Sequence, residues 1–410
     1  MPLEPRHETA SADDATREPA RGAPIVGKVV VGCTEDWFVL SHFRPLLRRL
    51  RQIAREVVVV ARSSGRMGEI EAFGCRTIDF DYNRSSMDPV QEARTVRQLA
   101  ALLTAERPDV LHLIAMKPIV LGGIAAAWAR PAHTVVHMTG LGFLSVSGTI
   151  KSRAARYAAL RVVQSTLRRP GSWLLIENPA DLAYMEQAGV KASGRVTLLG
   201  GAGIDPAVFA PPESLHNLKP VAAYVARMIR SKGVDVLMDA ADRLAERGVP
   251  LEVELYGETD DGNPEAVLAE ALARWANGAD RRYMGFTRDV ASVWRRADIF
   301  VLPTRGGEGM PRALLEAASC ARAVVVTDVP GCRHLIRDGV EGLIVPPGDA
   351  AALADALGKL ARDPELRARL GAAARQRVLS GYTEVHVEAG IEQAYRAMLG
   401  KPQAQPVPSP

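Results

Sequence analysis

Short apolar runs rich in Val, Ile and Leu recur along the chain, separated by longer stretches whose apolar positions follow helical spacing. The first half carries KVVVGC (28–33), EVVVVA (56–61), CRTIDF (75–80), VLHLI (110–114), HTVVHMT (133–139), WLLIEN (173–178) and RVTLLG (195–200). Alternation of this kind predicts βα units around a parallel sheet, because strands covered on both faces read as continuous apolar runs. The stretch GAGIDPAVFAPPESLHNLKP (201–220) has no periodicity and is rich in Gly and Pro. After it the pattern restarts with PVAAYVA (220–226), LEVELYG (251–257), RRYMG (281–285), IFVLP (299–303), AVVVT (323–327) and GLIVP (342–346). The expectation is an α/β protein of two Rossmann-like domains facing across a cleft, residues 25–205 and 206–382. A closing helix at 383–400 lies too far beyond the last strand to be its partner, and is expected to pack back on the first domain. Residues 1–24 and 401–410, dominated by Ala, Pro and charge, are expected to be disordered.

Composition agrees with two cores: 410 residues at 47% hydrophobic content exceed what one core supports. A net charge of +4 is too small for a dedicated nucleic-acid binder, so no nucleic-acid partner is expected. The four cysteines, Cys33, Cys75, Cys320 and Cys332, show no CxxC spacing and sit in or beside apolar segments, as reduced core residues do. The N-terminal segment has no apolar run of the secretory kind, and the apolar stretch 111–129 is interrupted by Lys117, Pro118 and a Gly pair. These features point to a cytoplasmic location.

Two strand ends carry candidate chemistry. IFVLP runs into TRGGEGMP and then the helix-forming RALLEAASCA. Pro311 suits the first position of that helix, and Gly306, Gly307 and Gly309 let backbone approach a ligand. Amides at a helix N-terminus attract phosphate, and the carboxylate of Glu316, more than a turn into the helix, suits sugar hydroxyls. An ordinary strand-to-helix turn with two surface glutamates is the alternative. The second strand end, YVARMIRSKGVDVLMDA (224–240), places Arg227 and Lys232 across a turn before Gly233 opens a helix. Two cations there complement a diphosphate. Together the loops describe a site for a nucleoside diphosphate joined to a sugar.

With R-x4-KG, then ADIFVLPTRGGEGMPRALLEA and VVVTDVPGCRHLIRDGVEGLIVPPGD, the chain resembles the retaining GT-B glycosyltransferases of family GT4 over roughly 27–400. HMTGLGFL (137–144), IENPADLAYM (176–185) and DGNPEAV (261–267) are similar to bacterial transferases of capsule, O-antigen and N-glycan assembly. The resemblance implies a GT-B fold and transfer of a sugar, with retention, from a nucleotide-sugar donor to a glycan on undecaprenyl diphosphate. UDP-activated donors are favoured over GDP-mannose. Arg227 and Lys232 match the positions that neutralise the donor diphosphate, and Glu316 the one that binds the ribose. Glu308 matches the acidic residue beside the donor sugar, with an orienting and charge-stabilising role and a covalent one left open. Gly309, Met310, Pro311 and Gly257 join the donor-binding set. No cofactor or metal is implied.

The chain also departs from the family. Relatives place a His in the segment that here reads HMTGLG, where Thr139 stands and His137 lies two residues earlier. Thr139, Gly140 and His42 are the acceptor-side candidates. DFD (79–81) is a D-x-D match, which occurs often without a metal role. Asn263 fits an N-cap with Pro264 opening a helix. From Val110 to Ile176 there is no Asp or Glu but eight Lys or Arg, six of them in 151–169. With Ala155, Tyr157, Leu160, Val163 and Leu167, that run reads either as a basic amphipathic helix against an anionic membrane or as a solvated face packed on its own domain. A GT-B enzyme acting on a small soluble acceptor and a sugar-nucleotide epimerase are the alternatives. A NAD enzyme would need G-x-G-x-x-G after the first strand, which is absent.

Overall fold

A computed structural model describes residues 23–82, 88–140, 150–214, 217–260, 263, 265–276, 278, 280–307 and 309–403. Each apolar run becomes a strand. In the first half these are β1 (Val26–Glu35), β2 (Ala54–Arg62), β3 (Arg76–Asp79), β4 (Val110–Ile114), β5 (His133–Met138), β6 (Ser172–Ile176) and β7 (Val196–Leu198). They form one parallel sheet in the order β3-β2-β1-β4-β5-β6-β7. The second half supplies β8 (Val221–Val225), β9 (Glu252–Tyr256), β10 (Arg281–Gly285), β11 (Ile299–Leu302), β12 (Ala323–Thr327) and β13 (Leu343–Val345). These form a second parallel sheet, ordered β10-β9-β8-β11-β12-β13. The architecture is the two-sheet GT-B arrangement that the resemblance implies.

Helices cover both faces of the first sheet, and alternate side chains of β1 divide between them. Val29 and Val31 join Leu46, Leu47 and Leu50 on one side, while Val30 joins Val96, Leu99 and Val163 on the other. The four cysteines are buried and unbridged. Among the described residues no helix is long and apolar enough to cross a membrane.

The last helix, Glu384–Met398, returns to the first sheet. Val387, Ile391, Ala394 and Tyr395 are buried at helical spacing in the same cluster as Leu46, Leu47 and Leu50. Burying Val387 and Ile391 contributes roughly 1.5–3 kcal/mol each, as an upper bound. Its acidic face meets helix Arg44–Ile53: Arg48 pairs with Glu384 and with Glu388 at 2.9 Å, and Arg49 with Glu392 at 2.9 Å. The chain therefore crosses between the sheets twice, and the crossings hold each other. Ile204 bridges Thr383, with Ile204 N–H donating to Tyr382 at 3.1 Å and Glu384 N–H to Ile204 at 3.0 Å. Gly203 has φ 72°, and a Cβ there would lie 2.9 Å from Glu384 Cα, so the crossing requires glycine.

The helix at 151–169 resolves toward its own domain. In helix Ile150–Leu167, Leu160, Val163 and Leu167 are buried in the first-domain core, while Tyr157 is 67% exposed. The apolar stripe is consumed internally, which leaves a cationic outer face rather than an insertable one. Asn263 likewise opens no helix. Its side chain accepts from Glu265 N–H at 3.0 Å in an Asx turn, and Pro264 lies outside the described residues. The following backbone pairs with 228–230 instead, through Val267 N–H to Met228 (2.8 Å) and Arg230 N–H to Glu265 (2.9 Å). Those bonds satisfy the groups that a helix would have used.

Candidate active site

Open parallel sheets bind ligands where the strand order reverses, beyond the carboxyl ends of the strands. In the second sheet the reversal falls between β8 and β11. These are the strands that lead into the Arg227–Gly233 and Pro303–Pro311 loops.

The two loops form one unit. After β8 the chain makes a 3-10 turn, Arg230–Lys232, and Gly233 (φ 76°) admits it to helix Val234–Glu246. A Cβ on Gly233 would stand 1.9 Å from the Pro303 carbonyl, so the loops touch backbone to backbone. Thr304 Oγ1 and Arg305 N–H both donate to the Ser231 carbonyl, at 3.1 and 2.7 Å. The Arg305 guanidinium then forks the Asp235 carboxylate at 2.8 and 2.9 Å. Lys232 is thereby fixed in register with the glycine loop. Gly257 serves the same packing: at φ 141°, its Cβ would meet the Ala226 carbonyl at 1.9 Å. Arg227 reaches across to Asp260, Nη1 to Oδ2 at 2.6 Å, and remains partly exposed.

Glu316 lies in helix Arg312–Ser319 and is only 5% exposed. Arg312 Nε donates to one carboxylate oxygen at 2.8 Å, and Trp294 Nε1 to the other at 3.4 Å. Burial pushes its pKa above the usual value, with Arg312 and Trp294 opposing the shift. Pro311 stands at the N-cap, not the first helical position, with φ −62° and an extended ψ of 120°. Glu308 lies outside the described residues.

The first sheet faces this unit with its own reversal, between β1 and β4. Ala115, directly after β4, has φ 66° and ψ 161°, a region nearly confined to glycine. After β1, His42 ends helix Asp36–His42, half-buried, with Nδ1 2.7 Å from Ser41 Oγ. Desolvation lowers its pKa to about 3, and the charges of Arg312 and Lys232 add to the shift. Burial and these two cations of the other domain both favour the neutral imidazole. Thr139 and Gly140 follow β5, and the Thr139 carbonyl would lie 2.5 Å from a Cβ on Gly309.

Gly309 and Met310 are bonded from across the cleft. Met310 N–H donates to Glu177 Oε2 at 2.8 Å, and Asn178 Nδ2 donates to the Gly309 carbonyl at 3.0 Å. In this arrangement the Met310 amide, expected from the sequence to face the donor, is engaged by a carboxylate. Glu177, Asn178 and Arg312 are the site neighbours that sequence reasoning passed over. Among the described residues no group of three or more His, Cys, Asp or Glu side chains is placed to hold a metal ion.

Residues 219–363 match the glycosyl transferases group 1 family, and residues 28–167 the glycosyl transferase 4-like family. The phosphatidyl-myo-inositol mannosyltransferase of Mycobacterium leprae is 31% identical over 355 residues, 83% of this chain and 88% of the relative. The N,N'-diacetylbacillosaminyl-diphospho-undecaprenol alpha-1,3-N-acetylgalactosaminyltransferase of Campylobacter jejuni is 26% identical over 353 residues, 83% of this chain and 91% of the relative. Among solved structures, HepE of Anabaena in complex with UDP and glucose superposes with a TM-score of 0.73 at 19% identity. That match covers 90% of this chain and 99% of HepE.

Proposed function

Because the chain belongs to the glycosyl transferases group 1 and GT4-like family, we propose that it is a retaining enzyme which moves a sugar from a UDP-activated donor to a glycan on undecaprenyl diphosphate. The observation that supports the donor side is the pair of loops at the second sheet's reversal, locked to each other through Thr304 and Arg305 on Ser231 and through Arg305 on Asp235. In this reading residues 206–382 hold the donor. Arg227 and Lys232 neutralise the diphosphate and Glu316 accepts from the ribose hydroxyls. Glu308 orients the donor sugar.

The acceptor hydroxyl attacks the anomeric carbon on the face that the diphosphate leaves. The carbon–oxygen bond to phosphate breaks as the bond to the acceptor oxygen forms, and the hydroxyl proton passes to the departing phosphate oxygen. Charge on that leaving group is what the two cations stabilise, and no resident cofactor takes part. The first domain, 25–205, holds the acceptor in this reading, with Thr139, Gly140 and His42 as its acceptor-side residues. Support for a lipid diphosphate comes from the Campylobacter relative, and support for UDP from the HepE complex.

The cationic outer face of helix Ile150–Leu167, with Tyr157 and the 62% exposed Trp128 of the neighbouring helix, suits adsorption to an anionic leaflet. Loss of anionic-liposome co-sedimentation on changing Arg153, Arg156 and Arg161 to Ser is the expected result, and unchanged binding rejects the contact. For the reaction, a donor screen measures nucleotide release with and without a polyprenyl-diphosphate sugar. Release stimulated by the lipid acceptor supports the proposal. Release stimulated only by small soluble sugars overturns the acceptor, and no release from any donor overturns the activity.

A further inference from the structure

The loop of the donor domain that precedes helix Arg312–Ser319 takes its backbone partners from the other domain. Glu177 and Asn178 follow β6 directly, and both are buried. One Glu177 oxygen accepts the Met310 amide at 2.8 Å, and a Cβ on Gly309 would lie 2.3 Å from that same oxygen. Asn178 uses each part of its amide. Its Oδ1 accepts from Asp181 N–H at 2.8 Å and caps helix Pro179–Gln187, while Nδ2 donates to Asp181 Oδ2 at 2.9 Å and to the Gly309 carbonyl at 3.0 Å. On the far side of the loop, Gly201 has φ 81°, and a Cβ there would meet the Met310 side chain at 2.7 Å.

Gly309 and Met310 are thus held through one carbonyl and one amide, both bonded across the cleft, with no space for a side chain on the first. The bond to Met310 lies just ahead of a helix N-terminus, where a carboxylate is favoured. Arg227 and Glu316, by contrast, are bonded within their own domain. The grip acts on the loop beside the donor sugar and leaves the nucleotide end of the site alone.

We propose that Glu177 and Asn178 are positioning residues for sugar transfer, setting the Gly309–Met310 backbone from the opposite domain so that it is in place only when the two domains meet. This rests on the glycosyltransferase reading above. The bonds reach across 133 and 131 residues of sequence, so they form only in the assembled cleft.

The test uses the full chain and three variants. Glu177→Leu removes the acceptor, Glu177→Gln keeps volume and a neutral acceptor, and Asn178→Asp keeps the helix cap while removing the donor to Gly309 and to Asp181. Hydrogen exchange over 305–314 reads the Met310 amide directly, and is expected to speed up about tenfold or more in Glu177→Leu and to stay near wild type in Glu177→Gln. With the best donor, kcat is expected to fall about tenfold or more in Glu177→Leu and Asn178→Asp while the Kd for UDP stays within about twofold. Equal loss of UDP affinity, or unchanged kcat despite faster exchange, overturns the proposal. Unchanged exchange overturns the grip itself. If the wild type transfers from no donor, the functional reading has failed, and the exchange measurement still decides whether the loop is held from across the cleft.

Discussion

Arg312 Nε lies 2.8 Å from Glu316 Oε1, one helical turn away, inside a site where the carboxylate is almost wholly buried. Desolvation raises the Glu316 pKa, and the guanidinium is the largest opposing influence. Replacing Arg312 by Ala removes that opposition, so the carboxyl takes up its proton at still higher pH. If ionised Glu316 accepts the ribose hydroxyls, the acid limb of donor kcat/KM moves to higher pH in Arg312→Ala. Glu316→Gln is expected to raise donor KM about 10- to 100-fold and to remove that limb. A pH profile unmoved by either change would take Glu316 out of donor binding.

The contact between the two donor loops gives a stability prediction with an internal control. Gly233 and Gly248 both have positive φ, 76° and 63°, but only Gly233 faces a neighbour, the Pro303 carbonyl at 1.9 Å. Gly248→Ala meets nothing within 4 Å and should cost about 1–2 kcal/mol from backbone strain alone. Gly233→Ala must push the loops apart, and is expected to cost about 3 kcal/mol or more and to weaken UDP binding. Urea denaturation of both variants reads the difference. Equal costs would mean that the loops part without penalty.

Much of the fold is legible because strands covered on both faces are written as unbroken apolar runs. The Val-rich segments of β1, β2 and β12 could not be read otherwise. Local spacing fails where a pattern has two physical solutions. Asn263 before a proline fits a helix cap and an Asx turn equally, and the backbone partners at 228–230 decide the outcome. The stripe Leu160, Val163, Leu167 fits a membrane or a core, and the core is where it goes. The partners of Gly309 and Met310 leave no mark at all, because Glu177 and Asn178 meet them only through tertiary folding. Arg312 was within reach, since an i, i+4 pair with Glu316 is visible in EGMPRALLE itself.

Asp181 makes pH dependence of stability a direct probe of helix Pro179–Gln187. Burial raises its pKa from 3.8 to about 6, with the Asn178 bond opposing. A carboxyl whose folded pKa lies above its unfolded value stabilises fully below the unfolded pKa, and that contribution is lost as pH rises through the folded value. Between pH 4 and pH 6 Asp181 therefore gives up on the order of 3 kcal/mol. Asp181→Asn retains an acceptor for Asn178 and cannot ionise. Its denaturation free energy should gain on wild type as pH rises from 4 to 7 and run parallel above. Parallel curves throughout would show that Asp181 keeps an ordinary pKa.

The returning helix is joined to the first sheet by a buried polar chain with the opposite pH signature. Tyr395 Oη lies 2.9 Å from His112 Nδ1, and His112 Nε2 lies 3.1 Å from His137 Nδ1. Tyr395→Phe keeps the ring but leaves His112 with an unsatisfied nitrogen, at a cost of about 1–3 kcal/mol. Burial drives the His137 pKa down to about 3 and the His112 pKa well below its usual value, so both rings are neutral in the folded chain. A histidine depressed in this way stabilises fully above pH 6.5, and the contribution is lost as pH falls through the folded value. Wild type should therefore weaken on acidification below pH 6.5. His137→Leu should flatten that limb by up to about 1.4 kcal/mol per pH unit, the slope carried by one proton. Urea denaturation at intervals from pH 7 to pH 4 distinguishes the cases. An acid limb of unchanged slope in His137→Leu would mean that His137 is already protonated in the folded chain, and the neutral chain from Tyr395 to His137 would have to be abandoned.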